Sequence, residues 1–229
     1  MKFPSPLVSG VLIKRYKRFL ADVRLDTGEE LTAYCPNTGS MITLATPGSK
    51  VYLSPKLEGL KYTWEIVENE GALVTINTQL PNTLAFEALT QRRIPELAHY
   101  EHIQREVKYG VENSRVDFLL ESAGHPACYL EIKQVHLKRG NSGVFPDGIT
   151  ARGSKHLREM MAEVIKGNRA VMLYVIQRGD VSSFEIAADI DPEYAKTAAL
   201  AKSHGVEFLA YKTDVSLTEL SLSTKVPIL

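Results

Sequence analysis

SRVDFLLESAGHPACYLEIKQV, residues 114–135, holds two β-prone runs around a Gly-His-Pro connection and predicts an antiparallel hairpin, Ser114 to Glu121 against Ala127 to Val135. Side chains alternate along a strand, which places Glu131 and Lys133 on one face and Leu130 and Ile132 on the other. With the turn centred near Gly124 and His125, Asp117 falls opposite Glu131 or Ile132. Two carboxylates and an ammonium then share a small volume. Buried like charges repel, so such a pair suits a divalent cation, and hard oxygen ligands favour Mg²⁺ or Mn²⁺. Lys133 beside the cation would hold and polarise an attacking water. The same three residues also read as surface charges of an ordinary hairpin, because Glu-x-Lys recurs at Glu106-Val107-Lys108 without an acidic strand just before it.

Composition narrows the class. The 229 residues, 44% hydrophobic and 24% charged, suit one large or two modest soluble domains. Lys plus Arg equals Asp plus Glu at 27 each, so binding to a polyanion has to come from local clusters. Two cysteines are too few for a disulfide framework, and MKFPSPLVSG lacks the apolar centre of a signal peptide. The longest apolar run, Ala170 to Ile176, is too short to span a bilayer. A reducing cytoplasm and no membrane partner are the expectations.

Residues 1 to 80 read as all-β. Short runs at Leu7 to Ile13, Phe19 to Leu25, Glu30 to Tyr34, Lys50 to Leu53, Tyr62 to Val67 and Leu73 to Ile76 are separated by turns such as Asp26-Thr27-Gly28. Five or six strands in so short a span predict a small barrel of the OB type. Between the first two runs lie Lys14, Arg15, Tyr16, Lys17 and Arg18, cations for phosphates around a ring that can stack on a base. A solvated hairpin tip accounts for the same residues. In CPNTGSM, Cys35 has no histidine near it in sequence and reads as a small buried thiol.

From residue 81 the period changes from 2 to 3.6, which sets the second domain at 81–229. Asn82 is placed to cap a helix through Leu84, Ala85, Ala88 and Leu89, with Glu87 at its margin as a surface charge or a third acid. A strand over His102 to Tyr109 precedes the central hairpin, and residues 136 to 150 read as a polar, Gly-containing loop. Leu157, Met160, Met161, Val164 and Ile165 lie at helical spacing with Gly167 as the stop. Ala170 to Gln177 is a buried strand, Asp191-Pro192 starts another helix ending near His204, and Val206 to Tyr211 is a further strand. Strands alternating with helices imply a mixed sheet covered on both faces, an α+β protein overall. Glu131 to Arg158 carries six cations (Lys133, Lys138, Arg139, Arg152, Lys155, Arg158) against two carboxylates (Glu131, Asp147). Arg152, Lys155 and His156 at a helix start are candidates for phosphate contact, or else a charged, wet helix face.

The succession over residues 82 to 178, with the acidic pair on middle strands, resembles the core of the PD-(D/E)xK nuclease superfamily, although Val116 replaces the proline before Asp117. FPSPL, IKRYKRFLADV, CPNTGSM, YTWE, REVKYG, NSRVDFLL, YLEIKQVHL, FPD and ARGSKHLREM further resemble the sugar fermentation stimulation protein family, SfsA. That resemblance implies an OB-like N-terminal domain, a nuclease-like C-terminal domain, DNA binding of low sequence specificity and a regulatory role in sugar, notably maltose, metabolism. The superfamily pattern falls on Asp117 and Glu131 as metal ligands, with the Ile132 carbonyl as a third and Glu87 as an extra ligand. Lys133 falls on the position that orients or deprotonates water. The alternative function is therefore a Mg²⁺- or Mn²⁺-dependent nuclease acting on DNA or RNA.

Overall fold

The computed structural model describes residues 1–56, 59–111 and 114–229. The chain opens with six strands, β1 (Val8–Tyr16), β2 (Leu20–Leu25), β3 (Glu30–Tyr34), β4 (Lys50–Pro55), β5 (Tyr62–Asn69) and β6 (Ala72–Thr75), paired in the order β3-β2-β1-β4-β5-β6. A parallel pairing of Tyr34 with Thr63 joins β3 to β5 and closes a five-strand barrel. Alternation does the sorting: Ala21, Val23 and Leu25 of β2 point inward to Trp64, Leu53 and Val51, while Asp22 and Arg24 point outward. The buried Trp64 ring donates its N–H to the Ile66 carbonyl at 3.0 Å, so its one polar group is satisfied.

The second half begins with α1 (Leu80–Thr90), followed by β7 (His102–Tyr109), β8 (Ser114–Glu121) and β9 (Cys128–Val135). Next come β10 (Leu137–Arg139), β11 (Ser142–Phe145), α2 (Ala151–Ile165), β12 (Arg169–Ile176), β13 (Ser183–Ile186), α3 (Pro192–Ser203), β14 (Glu207–Val215) and β15 (Leu220–Lys225). The main sheet has the order β15-β14-β12-β9-β8-β7, with β9, β12 and β14 parallel and the remaining pairs antiparallel. α1 covers one face, setting Ala85, Ala88 and Leu89 on Phe118, Leu130, Ile132 and Leu173. α2 and α3 cover the other, setting Leu157, Met160, Tyr194 and Ala198 on Val135, Met172 and Tyr174. Among the described residues no helix is long and apolar enough to cross a membrane.

Two expectations need correction. Residues 136 to 150 contain the hairpin β10–β11, and β11 pairs in parallel with β13, Ser142 opposite Ser183, to form a small separate sheet. The helix expected to start at Asn82 starts at Leu80, with Gln79 at its cap and Pro81 in its first turn, which frees the Asn82 side chain for other work. The boundary placed at 80/81 falls at the first residue of α1, and Met1 and Phe3 of the amino terminus pack on Leu80, Leu84 and Leu220.

The two domains are joined at one end of the main sheet. The Thr75 N–H of the barrel donates to the Gln177 carbonyl just past β12 at 3.1 Å, and Val74 bridges Arg178. Arg178 is fully buried there and donates to Asp180 at 2.6 and 2.8 Å and to Asn69 of the barrel at 3.2 Å.

Candidate active site

The register of β8 against β9 runs Leu120 to Cys128, Leu119 to Tyr129 and Phe118 to Leu130. One residue further, the Asp117 carboxylate replaces the ladder and accepts the Ile132 N–H at 2.7 Å through Oδ2. Its Oδ1 accepts from Asn82 Nδ2, in the first turn of α1, at 2.8 Å. Glu131 and Lys133 stand on the same face of β9, where Lys133 Nζ donates to Glu131 Oε1 at 2.7 Å. His156 of α2 closes the group, with Nδ1 in a short hydrogen bond to the same oxygen. Arg152, one helical turn earlier, donates to His156 Nε2 at 3.3 Å.

Glu131 is 2% exposed, and its second oxygen, Oε2, meets no hydrogen-bond donor. Burial works against its charge, but Lys133 and His156 outweigh burial and leave its carboxyl below the ordinary value. Asp117 moves the other way. Burial first, and the neighbouring Glu131 charge second, push it up to about 6, against the pull of the Ile132 amide and Asn82. Glu131 therefore ionises first, and Asp117 carries the charge that the protein alone leaves poorly compensated.

A stability test follows from the sign of that shift. A folded-state value raised above the ordinary 3.8 gives stability that is fully present at low pH and lost as pH rises through about 6. Asp117→Asn is neutral at every pH. In chelator, its stability should therefore gain on the wild type by about 3 kcal/mol between about pH 4 and pH 7, read from thermal melts. A difference that stays flat across that interval would show that Asp117 titrates normally.

The group lines an open cleft of about 520 Å³ that also takes in Arg105 and Arg152. Asp117, the Oε2 of Glu131 and the Ile132 carbonyl are the groups that could hold a cation here. Among the described residues no set of three His, Cys, Asp or Glu side chains gathers at ligating geometry. The expected third acid does not join the cleft. Glu87 pairs with the Met1 amine at 2.7 Å and with Arg93 at 3.3 Å. It lies five residues past Asn82, a rotation of about 140° around the helix axis. The second Glu-x-Lys, Glu106 and Lys108, is exposed on the edge strand β7.

The other predicted contacts are divided. His156 is buried behind Glu131 and presents no surface cation, and Lys155 is half-buried and lines neither this cleft nor the next. In the barrel, Lys14 pairs with Asp22 at 3.4 Å and lies over the Tyr16 ring, whose hydroxyl also goes to Asp22. Arg15 points away from them and donates to the carbonyls of Asn37 at 2.8 Å and Gly39 at 2.9 Å. Lys17 and Arg18 form the turn, both at positive φ. Thr78, Gln79, Asn82 and Arg105 line the cleft without a chemical role assigned to them in the sequence. Asn82 reads in the sequence as a helix cap, and Arg105, whose guanidinium lies 5.1 Å over the Phe86 ring, opens the family string REVKYG, which by itself assigns it no chemistry.

The CPNTGSM loop is structural at its first residue, for Cys35 is fully buried and burial raises its thiol. Further along, Ser40 Oγ donates to the Asp147 carbonyl at 2.6 Å and carboxylate at 2.9 Å, and His136 Nε2 lies 3.2 Å from the same carboxylate. Asp147 falls to about 2 because His136 and Ser40 overcome the opposing effect of burial.

Comparison with known proteins agrees with this two-domain layout. Residues 13–76 match a family model described as the SfsA N-terminal OB domain, and residues 79–219 match the sugar fermentation stimulation protein RE domain. A sugar fermentation stimulation protein homolog of Paramagnetospirillum magneticum is 52% identical over 214 residues, 92% of this chain and 90% of that one. A second, from Maricaulis maris, is 51% identical over 223 residues, covering 95% and 94%. The structure of Pyrococcus furiosus SfsA in complex with Ca²⁺ superposes with a TM-score of 0.90 at 27% identity, over 100% of this chain and 99% of that one. The chain therefore belongs to the sugar fermentation stimulation protein family, SfsA.

Proposed function

We propose that the protein binds nucleic acid across this cleft and hydrolyses its phosphodiester bonds with Mg²⁺ or Mn²⁺. The observation that carries the reading is the buried Glu131 Oε2, which lacks any donor and shares the cleft with an Asp117 that its surroundings leave undercompensated. Two carboxylates and a main-chain carbonyl are a hard oxygen set, and the Pyrococcus furiosus relative was solved with Ca²⁺, a hard cation. Bound there, the cation would offset charge on the scissile phosphate and lower the pKa of an attacking water. The chain's own residues do the rest. Asn82 and the Ile132 amide aim Asp117, His156 and Lys133 aim Glu131, and Arg105 and Arg152 offer positive charge to the flanking phosphates. The C-terminal domain thus reads as a PD-(D/E)xK-type nuclease.

A purely regulatory DNA-binding role in sugar metabolism is the second reading. It needs the cations and the barrel but no orphaned carboxylate, and the relatives' names refer to sugar fermentation. Incubation of labelled single- and double-stranded DNA with and without Mn²⁺, beside Asp117→Ala, separates the two. Cleavage that needs both the metal and Asp117 supports the enzyme. Retention without cleavage, unchanged by chelator and by the variant, sinks it. The two cysteines, both free and buried, suit a reducing cytoplasm.

A further inference from the structure

A second cleft, of about 530 Å³, opens where the barrel meets the C-terminal domain. Its barrel wall is Arg15, Arg18 and the turn Thr38 to Ser40, and its other wall is the segment Phe145 to Thr150 that leads into α2. Its size is that of a pocket for a nucleotide-sized ligand. Thr150 lines this cleft and Arg152 lines the first, so the two adjoin at the start of α2. We propose that a single strand of nucleic acid runs from the first cleft into the second, with Arg18 on a backbone phosphate and Ile149 against an unpaired base. The inference rests on the nucleic-acid reading above and adds a strand path and a strand type.

The wall residues differ in what they have left to offer. Arg15 is committed to the carbonyls of Asn37 and Gly39 and shapes the loop. The Asp147 carboxylate, which would repel a phosphate, is turned to Ser40 and His136. Lys14 and Arg139 are paired with Asp22 and Asp189, but among the described residues no carboxylate pairs with the guanidinium of Arg18. An unneutralised guanidinium at the mouth of a cleft is a phosphate contact in search of its anion.

Ile149 supplies the other half. It is 85% exposed, an aliphatic side chain on the rim of a cleft that Arg15, Arg18, Phe145 and Asp147 also line. Apolar side chains so placed pack on bases that have left the stack. A paired duplex hides its base faces, so the contact selects a single strand.

The test uses the full chain in a Lys133→Ala background with chelator present, so that cleavage is suppressed, with a short fluorescent oligothymidylate and a blunt duplex of equal length as probes. Arg18→Ala should weaken single-strand binding about tenfold and lower the slope of log affinity against log salt by about 1. Ile149→Ala should weaken it about fivefold with the slope unchanged, because it removes packing and no charge. Duplex binding should be weaker than single-strand binding and indifferent to both changes. Unchanged single-strand affinity in both variants, or an equal loss for the duplex, overturns the path. If Mn²⁺ cleavage by the otherwise wild-type chain still depends on Asp117 while the cleft variants do nothing, only this inference falls. If no oligonucleotide binds at all, the parent reading falls with it.

Discussion

Lys133→Ala is expected to lose about 10²- to 10⁴-fold in phosphodiester cleavage while its Mn²⁺ affinity holds or tightens. Lys133 Nζ sits 2.7 Å from Glu131 Oε1 with its side chain 13% exposed, on the floor of the cleft and not on its rim. A lysine held there can donate to a water or to a phosphate oxygen, and alanine can do neither. Removing the ammonium takes away a compensating positive charge beside Glu131, which favours a bound cation in its place. The measurement is a pair: single-turnover cleavage of a labelled strand, and calorimetric titration with Mn²⁺. Full cleavage in the variant would remove Lys133 from the reaction, and loss of metal binding together with cleavage would make it a structural residue.

Arg178→Ala is expected to destabilise the protein by about 3 kcal/mol, lowering the thermal midpoint by about 6–12 °C. The guanidinium is fully buried and satisfies both oxygens of Asp180 along with Asn69 and the His136 carbonyl. Its removal leaves Asp180, which is held at about 2 because Arg178 and Lys138 overcome burial, with Lys138 as its remaining cation. A depressed carboxyl gives stability that is present above its ordinary value of 3.8 and lost as pH falls toward about 2. The gap between wild type and variant should therefore narrow from pH 4 downward. Melting that is unchanged at pH 7 would show that the junction of barrel and sheet does not depend on this pair. Because Asn69 belongs to β5, the loss should also loosen the barrel against the C-terminal domain, which limited proteolysis would report.

Much of the architecture was legible because its signals are local. The hairpin of β8 and β9 follows from alternation and one Gly-containing turn, and its observed register puts Asp117 where the turn placed it. The barrel strands could be read from six short alternating runs, each interrupted by its own turn. The sheet of β10, β11 and β13 was not legible, since its strands have only three or four residues and Ser142 finds its partner at Ser183, some forty positions later. The basic run at residues 14–18 looked like one patch. The alternation of β1 split it, sending Lys14 and Tyr16 to Asp22 and Arg15 to the CPNTGSM loop. Glu87 failed for a related reason, because a helix spreads neighbouring residues around its axis and sets Glu87 about 140° away from Asn82.

The amino-acid order alone determined the two-domain plan, the central hairpin and the identity of Asp117, Glu131 and Lys133, because strand period and turn chemistry act over a few residues. Only the tertiary structure decided which side chains meet those three. Asn82 arrives from α1, Arg105 from β7 and His156 from α2, each carried there by packing against the sheet. The same holds for the cleft of Arg18 and Ile149, whose walls are more than a hundred residues apart in sequence and adjoin because Ser40 reaches Asp147. Contacts between distant segments depend on how helices and sheets stack, and that geometry leaves no periodic mark in the residues that make them.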